Sequence, residues 1–396
     1  MSLTDTPNAN RLHIALFGRR NSGKSSLINA LTGQDIALVS NTPGTTTDLV
    51  SKAMEIQGIG PCLFIDTPGF DDEGELGELR ISRTLKAIEK TDIALLLCED
   101  TTFFHEKEIL ALLKEKNIPV IPVLNKIDIR ENSDHLATYI EEQCKIHPLL
   151  ISAKEKIRIE LIRQAILEKL PSDFGQQSIT GKLVAENDLV LLVMPQDIQA
   201  PKGRLILPQV QTIRELLDKK CLVMTCTTDK FSATLQALAR PPKLIITDSQ
   251  VFKAIYEQKP AESELTSFSV LFAGYKGDIH YYVESAAVIE RLTESSRVLI
   301  AEACTHAPLS EDIGRVKLPR LLRKRIGENL QIDMVAGTDF PQDLTPYSLV
   351  IHCGACMFNR KYVLSRIERA REQHIPMTNY GVAIAFLNGI LDQIKY

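Results

Sequence analysis

Uninterrupted apolar runs of strand length recur along this chain, each followed by a polar loop and then by residues at helical spacing. In the first part they are "HIALFG" at 13–18, "LFID" at 63–66, "IALLLC" at 93–98, "VIPVL" at 120–124 and "LLIS" at 149–152. Runs apolar on both faces predict buried strands, and their alternation with helices predicts an α/β fold. A Gly-, Ser- and Gln-containing stretch, "LPSDFGQQSITGK" at 170–182, reads as a linker. Beyond it "DLVLLVM", "CLVMTCTT" and "KLIITD" are strands separated by helical spacing near 208–219 and 231–239, a small β/α unit with parallel strands. From 265 onward "SFSVLFAG", "SRVLIAEAC", "LQIDMVAG", "YSLVIHCGAC" and "IPMTN" read as further strands, with a helix over "RKYVLSRIERAREQ", so that an open, doubly wound sheet is expected. The pattern divides the chain into three domains, 8–172, 183–262 and 265–396. A middle unit with so few strands has edges that must be covered or paired, which predicts self-association.

Composition narrows the class. Of 396 residues, 44% are hydrophobic and 24% charged, and 46 basic against 50 acidic side chains leave a net charge of −4. That balance gives no electrostatic reason for nucleic acid or an anionic membrane as the main partner. The apolar runs are far shorter than the roughly 20 residues of a membrane helix, and "MSLTDTPNANRLHIALFG" lacks the charged and apolar regions of a signal peptide. A cytoplasmic protein is expected. Its eight cysteines are then poor disulfide candidates, and those that cluster become candidate metal ligands. Cys62, Cys98, Cys221 and Cys226 sit in apolar strand contexts and read as core; Cys144 and His147 form a lone pair that reads as surface or packing.

The first domain carries a set of phosphate and base motifs. Gly18 to Ser25 spell GxxxxGKS between a strand and a helix, the context that gives this motif meaning. Backbone N–H groups of such a loop, here including Asn21, Ser22, Gly23 and Ser26, close around phosphate oxygens; Lys24 reaches the β and γ phosphates and Ser25 holds magnesium. Asp66 in "DTPG" can reach magnesium through water, and the Gly69 N–H can sense the γ-phosphate. "NKID" at 125–128 and "SAK" at 152–154 resemble the guanine-specificity elements of GTPases. In that likeness Asp128 accepts from the base, Asn125 and Lys126 brace the loop, and the Ala153 N–H, next to Ser152, meets O6. GTP is therefore preferred over ATP.

Two departures narrow the resemblance. Phe70 stands where Ras-like proteins place the glutamine that orients water. Asn21, with "SNTPGTTTD" at 40–48, resembles the potassium-dependent branch that includes the tRNA-modification GTPase MnmE and the ribosome-assembly GTPase Era. In that branch the asparagine helps hold a potassium ion, which implies potassium-stimulated hydrolysis here. Thr46 is the choice for the switch threonine on magnesium, with Thr45 as its competitor. "DDEGELGELR" at 71–80 fits a mobile switch segment.

The last domain carries different chemistry. Cys304 and His306 lie just past one expected strand, and His352, Cys353 and Cys356 just past another. If both strands run parallel, the two clusters emerge at the same edge of the sheet, where ligands of such sheets gather. Three thiolates suit a four-iron four-sulfur cluster with one iron left to another ligand, and the same inventory admits structural zinc of the Cys3His type. A sizeable α/β sheet that needs no metal to build its core favours the former. His306 and His352 read either as ligands or as hydrogen-bond partners of ligands.

A GTPase domain of potassium type joined to a Cx(H)…HCxxC site resembles the HydF family, the GTPases of iron-only (FeFe) hydrogenase maturation, over essentially the whole chain. The resemblance implies a GTPase domain, a dimerisation domain and a cluster domain. It implies a scaffold that holds a 4Fe-4S cluster on Cys304, Cys353 and Cys356. Such a scaffold transiently carries a two-iron precursor of the hydrogenase active site, made with two radical-SAM maturases, and delivers it to the apo-hydrogenase. A homodimer is expected, with neither nucleic acid nor membrane as partner. The rivals are a tRNA-modifying GTPase, which predicts a folate-binding N-terminal domain and a single C-terminal cysteine, and a zinc-stabilised or RNA-directed GTPase. For the latter the basic run "RLLRKR" at 320–325 offers a site, though it reads equally as a solvated helix face.

Overall fold

Strands that are apolar on both faces split their side chains between two cores, and that division organises each part of this protein. The computed structural model describes residues 6–32, 50–69, 83–100, 102–171, 174–175, 177–195, 205–303 and 312–396. It divides into two compact units, Met1–Gly175 and Gln176–Tyr396.

In the first unit β1 (Leu12–Phe17), β2 (Val50–Ile56), β3 (Gly60–Asp66), β4 (Ile93–Cys98), β5 (Val120–Leu124) and β6 (Leu149–Leu150) form a six-stranded sheet of order β2-β3-β1-β4-β5-β6. Only β2 runs antiparallel to its neighbour; the other pairs are parallel. Along β1, Leu12, Ile14 and Leu16 enter one core, whereas Ala15 and Phe17 enter the other. The helices Lys24–Thr32, Phe104–Glu115, Ser133–Cys144 and Glu160–Glu168 follow or separate these strands.

The second unit holds two parallel four-stranded sheets. One has the order β10-β9-β7-β8, from β7 (Leu189–Val193), β8 (Leu222–Cys226), β9 (Leu244–Thr247) and β10 (Glu264–Ser267). The other has the order β12-β11-β13-β14, from β11 (Arg297–Glu302), β12 (Gln331–Ala336), β13 (Leu349–His352) and β14 (Met377–Asn379). Leu191 and Val193 of β7 share one core with Leu299 and Ala301 of β11, so the two sheets are packed into one body. Val190 and Leu192 face a second core, and Val298 and Ile300 a third. Among the described residues β8 is an edge strand of its sheet, with Leu222 and Met224 exposed. Among the described residues no helix is long and apolar enough to cross a membrane.

One sequence expectation is corrected. "SFSVLFAG" is not a strand of the last sheet: Glu264–Ser267 pairs with β9 in the middle sheet, and Phe268–Lys276 is a helix. The Ser267 side chain caps that helix by accepting from the Val270 N–H. A short run apolar on all sides cannot distinguish a buried strand from a buried helix, and the cap decides. The basic run 320–325 falls in the helix Leu318–Ile326, which buries Leu318 and Leu322 and turns Arg320, Lys324 and Arg325 outward.

The second unit begins on a polar clasp. Glu215, in the helix Leu207–Asp218, accepts from the Ile179 and Thr180 N–H groups and from the hydroxyls of Ser178 (2.9 Å) and Thr180 (2.7 Å). Lys219 Nζ donates to the same two hydroxyls and to Gly181 O at 2.7–2.8 Å. Burial alone would raise the Glu215 pKa, but these donors outweigh it and hold it below the usual carboxylate value. The depressed value makes the clasp's contribution full above the unfolded-state pKa and lost as pH falls through the folded one. Glu215→Ala leaves two buried N–H groups without a partner, a cost of about 2–4 kcal/mol. Amide exchange at Ile179 and Thr180 is expected to accelerate by at least about 10-fold at pH 7. As pH falls through the folded-state pKa, which lies below the usual carboxylate value, the gap to the native protein should narrow, and a gap that does not change with acidification would show that the carboxylate charge is not what holds the segment.

Candidate functional site

The loop between β1 and Lys24–Thr32 is shaped by two left-handed residues, Asn21 at φ 63° and Gly23 at φ 92°. A Cβ on Gly23 would collide with the Asn125 amide, so glycine is required there by conformation and by space. Lys24 is buried and its Nζ donates to Gly18 O (2.8 Å) and Arg19 O (2.7 Å), which holds the ammonium inside the loop. Ser25 Oγ donates to Asp66 Oδ2 at 2.6 Å, bringing the two expected magnesium residues from different elements into contact. Burial raises the Asp66 pKa, opposed by the Ser25 hydroxyl and by Lys24. Asn21 and Ser26 are exposed, and Ser22 is buried.

Asn125 joins the phosphate loop to the base loops. It is buried; its Nδ2 donates to Ser22 O (3.0 Å), and its Oδ1 accepts from Lys126 N (2.8 Å) and Ala153 N (3.0 Å). The Ala153 N–H, expected to meet guanine O6, is thus engaged with Asn125 in this structure. Lys126, at φ 66°, pairs with Glu99 at 2.8 Å, and Asp128 is exposed at the loop's tip. Ser152 closes the neighbouring loop by pairing with Ile157 and by accepting from Glu155 N at 3.1 Å. Sequence reasoning missed Arg130, whose guanidinium donates to Glu99 O and Asn125 O at 2.6 and 3.1 Å. Gly69 is described, whereas Thr45, Thr46, Phe70 and the segment 71–80 lie outside the described residues.

In the second unit, β11 and β13 are adjacent and parallel, with Ala301 beside His352. Cys353 N donates to Ala301 O at 2.9 Å, and Cys353 Sγ accepts from the Ala303 N–H at 3.0 Å and the Ala355 N–H at 3.4 Å. Cys304 and His306 lie outside the described residues, but Ala303, the residue before Cys304, is hydrogen-bonded to the Cys353 sulfur. The loop turns on Ala355, left-handed at φ 51°, with no described residue within 4 Å of where a Cβ on Gly354 would lie. Burial holds the Cys356 thiol above its ordinary pKa, although the Lys276 charge and the Cys356 and Met357 N–H groups pull it part of the way down. Two sulfurs lined by backbone N–H groups, with a buried lysine near one, fit a thiolate-bound metal group. Among the described residues no group of three metal-type side chains is assembled; His352, Cys353 and Cys356 are described and do not form one, and Cys304 and His306 lie outside.

His352 is fully buried, and both ring nitrogens are engaged: Nδ1 with Cys353 O at 2.8 Å and Nε2 with Arg366 at 2.9 Å. In this arrangement both ring nitrogens are occupied by hydrogen bonds. Burial first, and the Arg366 charge second, depress its pKa to about 3, so the ring is neutral. Arg366, Lys276 and Asn379, which donates to Cys353 O at 3.1 Å, carried no motif signal. Cys62, Cys98, Cys144 and Cys221 are buried and Cys226 half-buried; His147 is paired with Glu141 at 2.8 Å.

Three family models match the chain: "50S ribosome-binding GTPase" over 13–126, "Hydrogen maturase F dimerization domain" over 179–277 and "Hydrogen maturase F tetramerization domain" over 280–395. The middle match takes in β10 and Phe268–Lys276, in keeping with their sheet. The tRNA modification GTPase MnmE of Dechloromonas aromatica is 39% identical over 159 residues, 39% of this chain and 34% of its own. GTPase Der of Wolinella succinogenes is 35% identical over 192 residues, 44% of this chain and 40% of its own. The chain thus spans about a third to two fifths of the length of these curated relatives. Among solved structures, Era of Aquifex aeolicus bound to GDP.AlF4- is similar at 21% identity and a TM-score of 0.35, over 54% of this chain and 92% of that one. The G domain of the T. maritima FeoB transporter is similar at 25% identity and a TM-score of 0.33, over 40% of this chain and 98% of that one.

Proposed function

The chain belongs to the hydrogen maturase F family, and from that premise we propose that it is a GTP-hydrolysing scaffold and carrier for iron–sulfur cargo. Its first unit binds GTP and magnesium: Lys24 meets the phosphates, Ser25 and Asp66 hold the metal with Thr46 or Thr45, and Asp128 reads the guanine. Asn21 supports potassium at the phosphate loop, so hydrolysis is faster in potassium than in sodium. GTP orders the switch segments and hydrolysis releases them, which times association with partners.

In the second unit Cys304, Cys353 and Cys356 hold the 4Fe-4S cluster, which supplies an iron with an exchangeable position. The cargo, a two-iron precursor made with two radical-SAM maturases, leaves for the apo-hydrogenase. The observation that supports this reading is the Ala303 N–H on Cys353 Sγ at 3.0 Å, a bond from the residue before Cys304 to a sulfur of the other cysteine group. The dimerization-domain match over 179–277, with β8 at the edge of its sheet among the described residues, supports dimerisation through the middle sheet, and the tetramerization-domain match over 280–395 supports pairing of dimers.

The test is anaerobic reconstitution of the purified protein with ferrous iron and sulfide, followed by reduction, EPR and metal analysis. A four-iron signal with S = 1/2 and potassium-stimulated GTP hydrolysis are expected. Stoichiometric zinc with no reducible cluster would sink the carrier reading and leave a zinc-stabilised GTPase.

A further inference from the structure

The helix Arg360–Glu372 follows the cysteine loop and buries Tyr362, Val363, Arg366, Ile367 and Ala370 on one face. Arg366 is only 1% exposed, and no carboxylate pairs with it among the described residues. Its guanidinium donates to neutral acceptors: His352 Nε2 at 2.9 Å, Gly337 O at 2.6 Å and Tyr362 Oη at 3.2 Å. The rings of Phe340, Phe358 and Tyr362 surround it, each with its centroid 4.6–4.7 Å from the guanidinium carbon. Aromatic faces and neutral acceptors make such a burial tolerable, but they leave the positive charge uncancelled. An apolar side chain would fill the same place without that cost.

The cation acts on the cysteine loop through His352. With Nε2 accepting from Arg366, the ring proton must sit on Nδ1, which donates to Cys353 O. Asn379 donates to the same carbonyl, so the first peptide of the HCxxC loop is held by two donors. A protonated His352 would instead point an N–H at the guanidinium. On the carrier reading, we infer that Arg366 is the positioning residue of the cysteine loop. Its guanidinium commits the His352 ring to the Cys353 carbonyl, and its buried, unpaired charge favours electron gain by the anionic iron–thiolate group held there.

The test compares the full-length protein with Arg366→Met, Arg366→Gln and Arg366→Lys, each reconstituted with ferrous iron and sulfide and titrated reductively under EPR. The neutral variants should retain iron and sulfide on the three cysteines. Their reduction equilibrium should shift roughly tenfold toward the oxidised cluster, about 59 mV for one electron. Arg366→Lys, which keeps a cation in the cage, should recover most of that shift. Should Arg366→Met fail to fold, by circular dichroism, Arg366→Gln carries the same test, because its amide can still donate to His352 or Gly337. A neutral variant that holds its cluster with an equilibrium within twofold of the native protein overturns the inference. Failure of the native protein to take up a cluster overturns the carrier reading itself, before any variant is made.

Discussion

Asn125→Ala is expected to weaken GTP and GDP binding by about 10²- to 10³-fold while leaving the β-sheet of the first unit folded. One amide satisfies three backbone groups: Ser22 O, Lys126 N and Ala153 N. Alanine leaves all three unpaired, those of Ser22 and Ala153 in a buried place and that of Lys126 in a half-buried one, at about 1–3 kcal/mol for each group that water cannot reach. Partial relaxation brings the sum to about 3–4 kcal/mol, and each 1.4 kcal/mol is tenfold in affinity. On the proposed reading the loss falls on binding, because the loops that lose their brace are those assigned to the phosphates and the base. Gly23→Ala should produce a similar loss from the other side, since its Cβ collides with the same amide and its φ of 92° strains any L side chain. Titration with a fluorescent GDP analogue measures both. An Asn125→Ala protein that binds within threefold of the native one would show that the loops hold their geometry unaided.

The nucleotide loops were legible because each is a short motif whose chemistry demands fixed residue types at fixed spacing. Gly23, Lys24, Ser25, Asp66 and Asn125 stand together in space much as their order along strand ends implies. The adjacency of the strand that leads to Cys304 and the strand that leads to Cys353 was legible for a different reason, the rule that parallel strands point their carboxyl ends the same way. What could not be read was the second layer. Arg366 looks like one more charge in "RKYVLSRIERAREQ", and only its position on the face with Tyr362, Val363, Ile367 and Ala370 hints at burial. Glu215 and Lys276 likewise sit in ordinary helical patterns, and their partners come from distant segments. The histidine of "HCGAC" could be ligand or support from sequence alone; the hydrogen-bond partners of its two nitrogens are tertiary facts. The misread "SFSVLFAG" belongs to the same class, because an all-apolar run carries no period to interpret.

On the proposed carrier reading, Cys353→Ala and Cys356→Ala are each expected to abolish the reduced four-iron EPR signal, since removing one of the three proposed thiolates leaves two. A lost signal alone would not separate a ligand from a structural residue, because Cys353 Sγ is also the acceptor for the Ala303 and Ala355 N–H groups. Alanine at 353 removes that acceptor and should cost the metal-free protein about 1–2 kcal/mol. Serine at 353 keeps an oxygen acceptor near the same place, so Cys353→Ser should regain most of that stability in chemical denaturation. It should still fail to bring the cluster signal back, because a serine hydroxyl is a poor substitute for thiolate on iron. Cys353 and the nucleotide loops lie in different units, Gln176–Tyr396 and Met1–Gly175, and GTP hydrolysis should remain within about twofold of the native rate in all three variants. A Cys353→Ser protein with a full cluster signal would remove Cys353 from the ligand set and reduce it to a hydrogen-bond acceptor. A Cys353→Ala protein that loses the signal with no loss of metal-free stability would show instead that its N–H contacts contribute nothing until iron is bound.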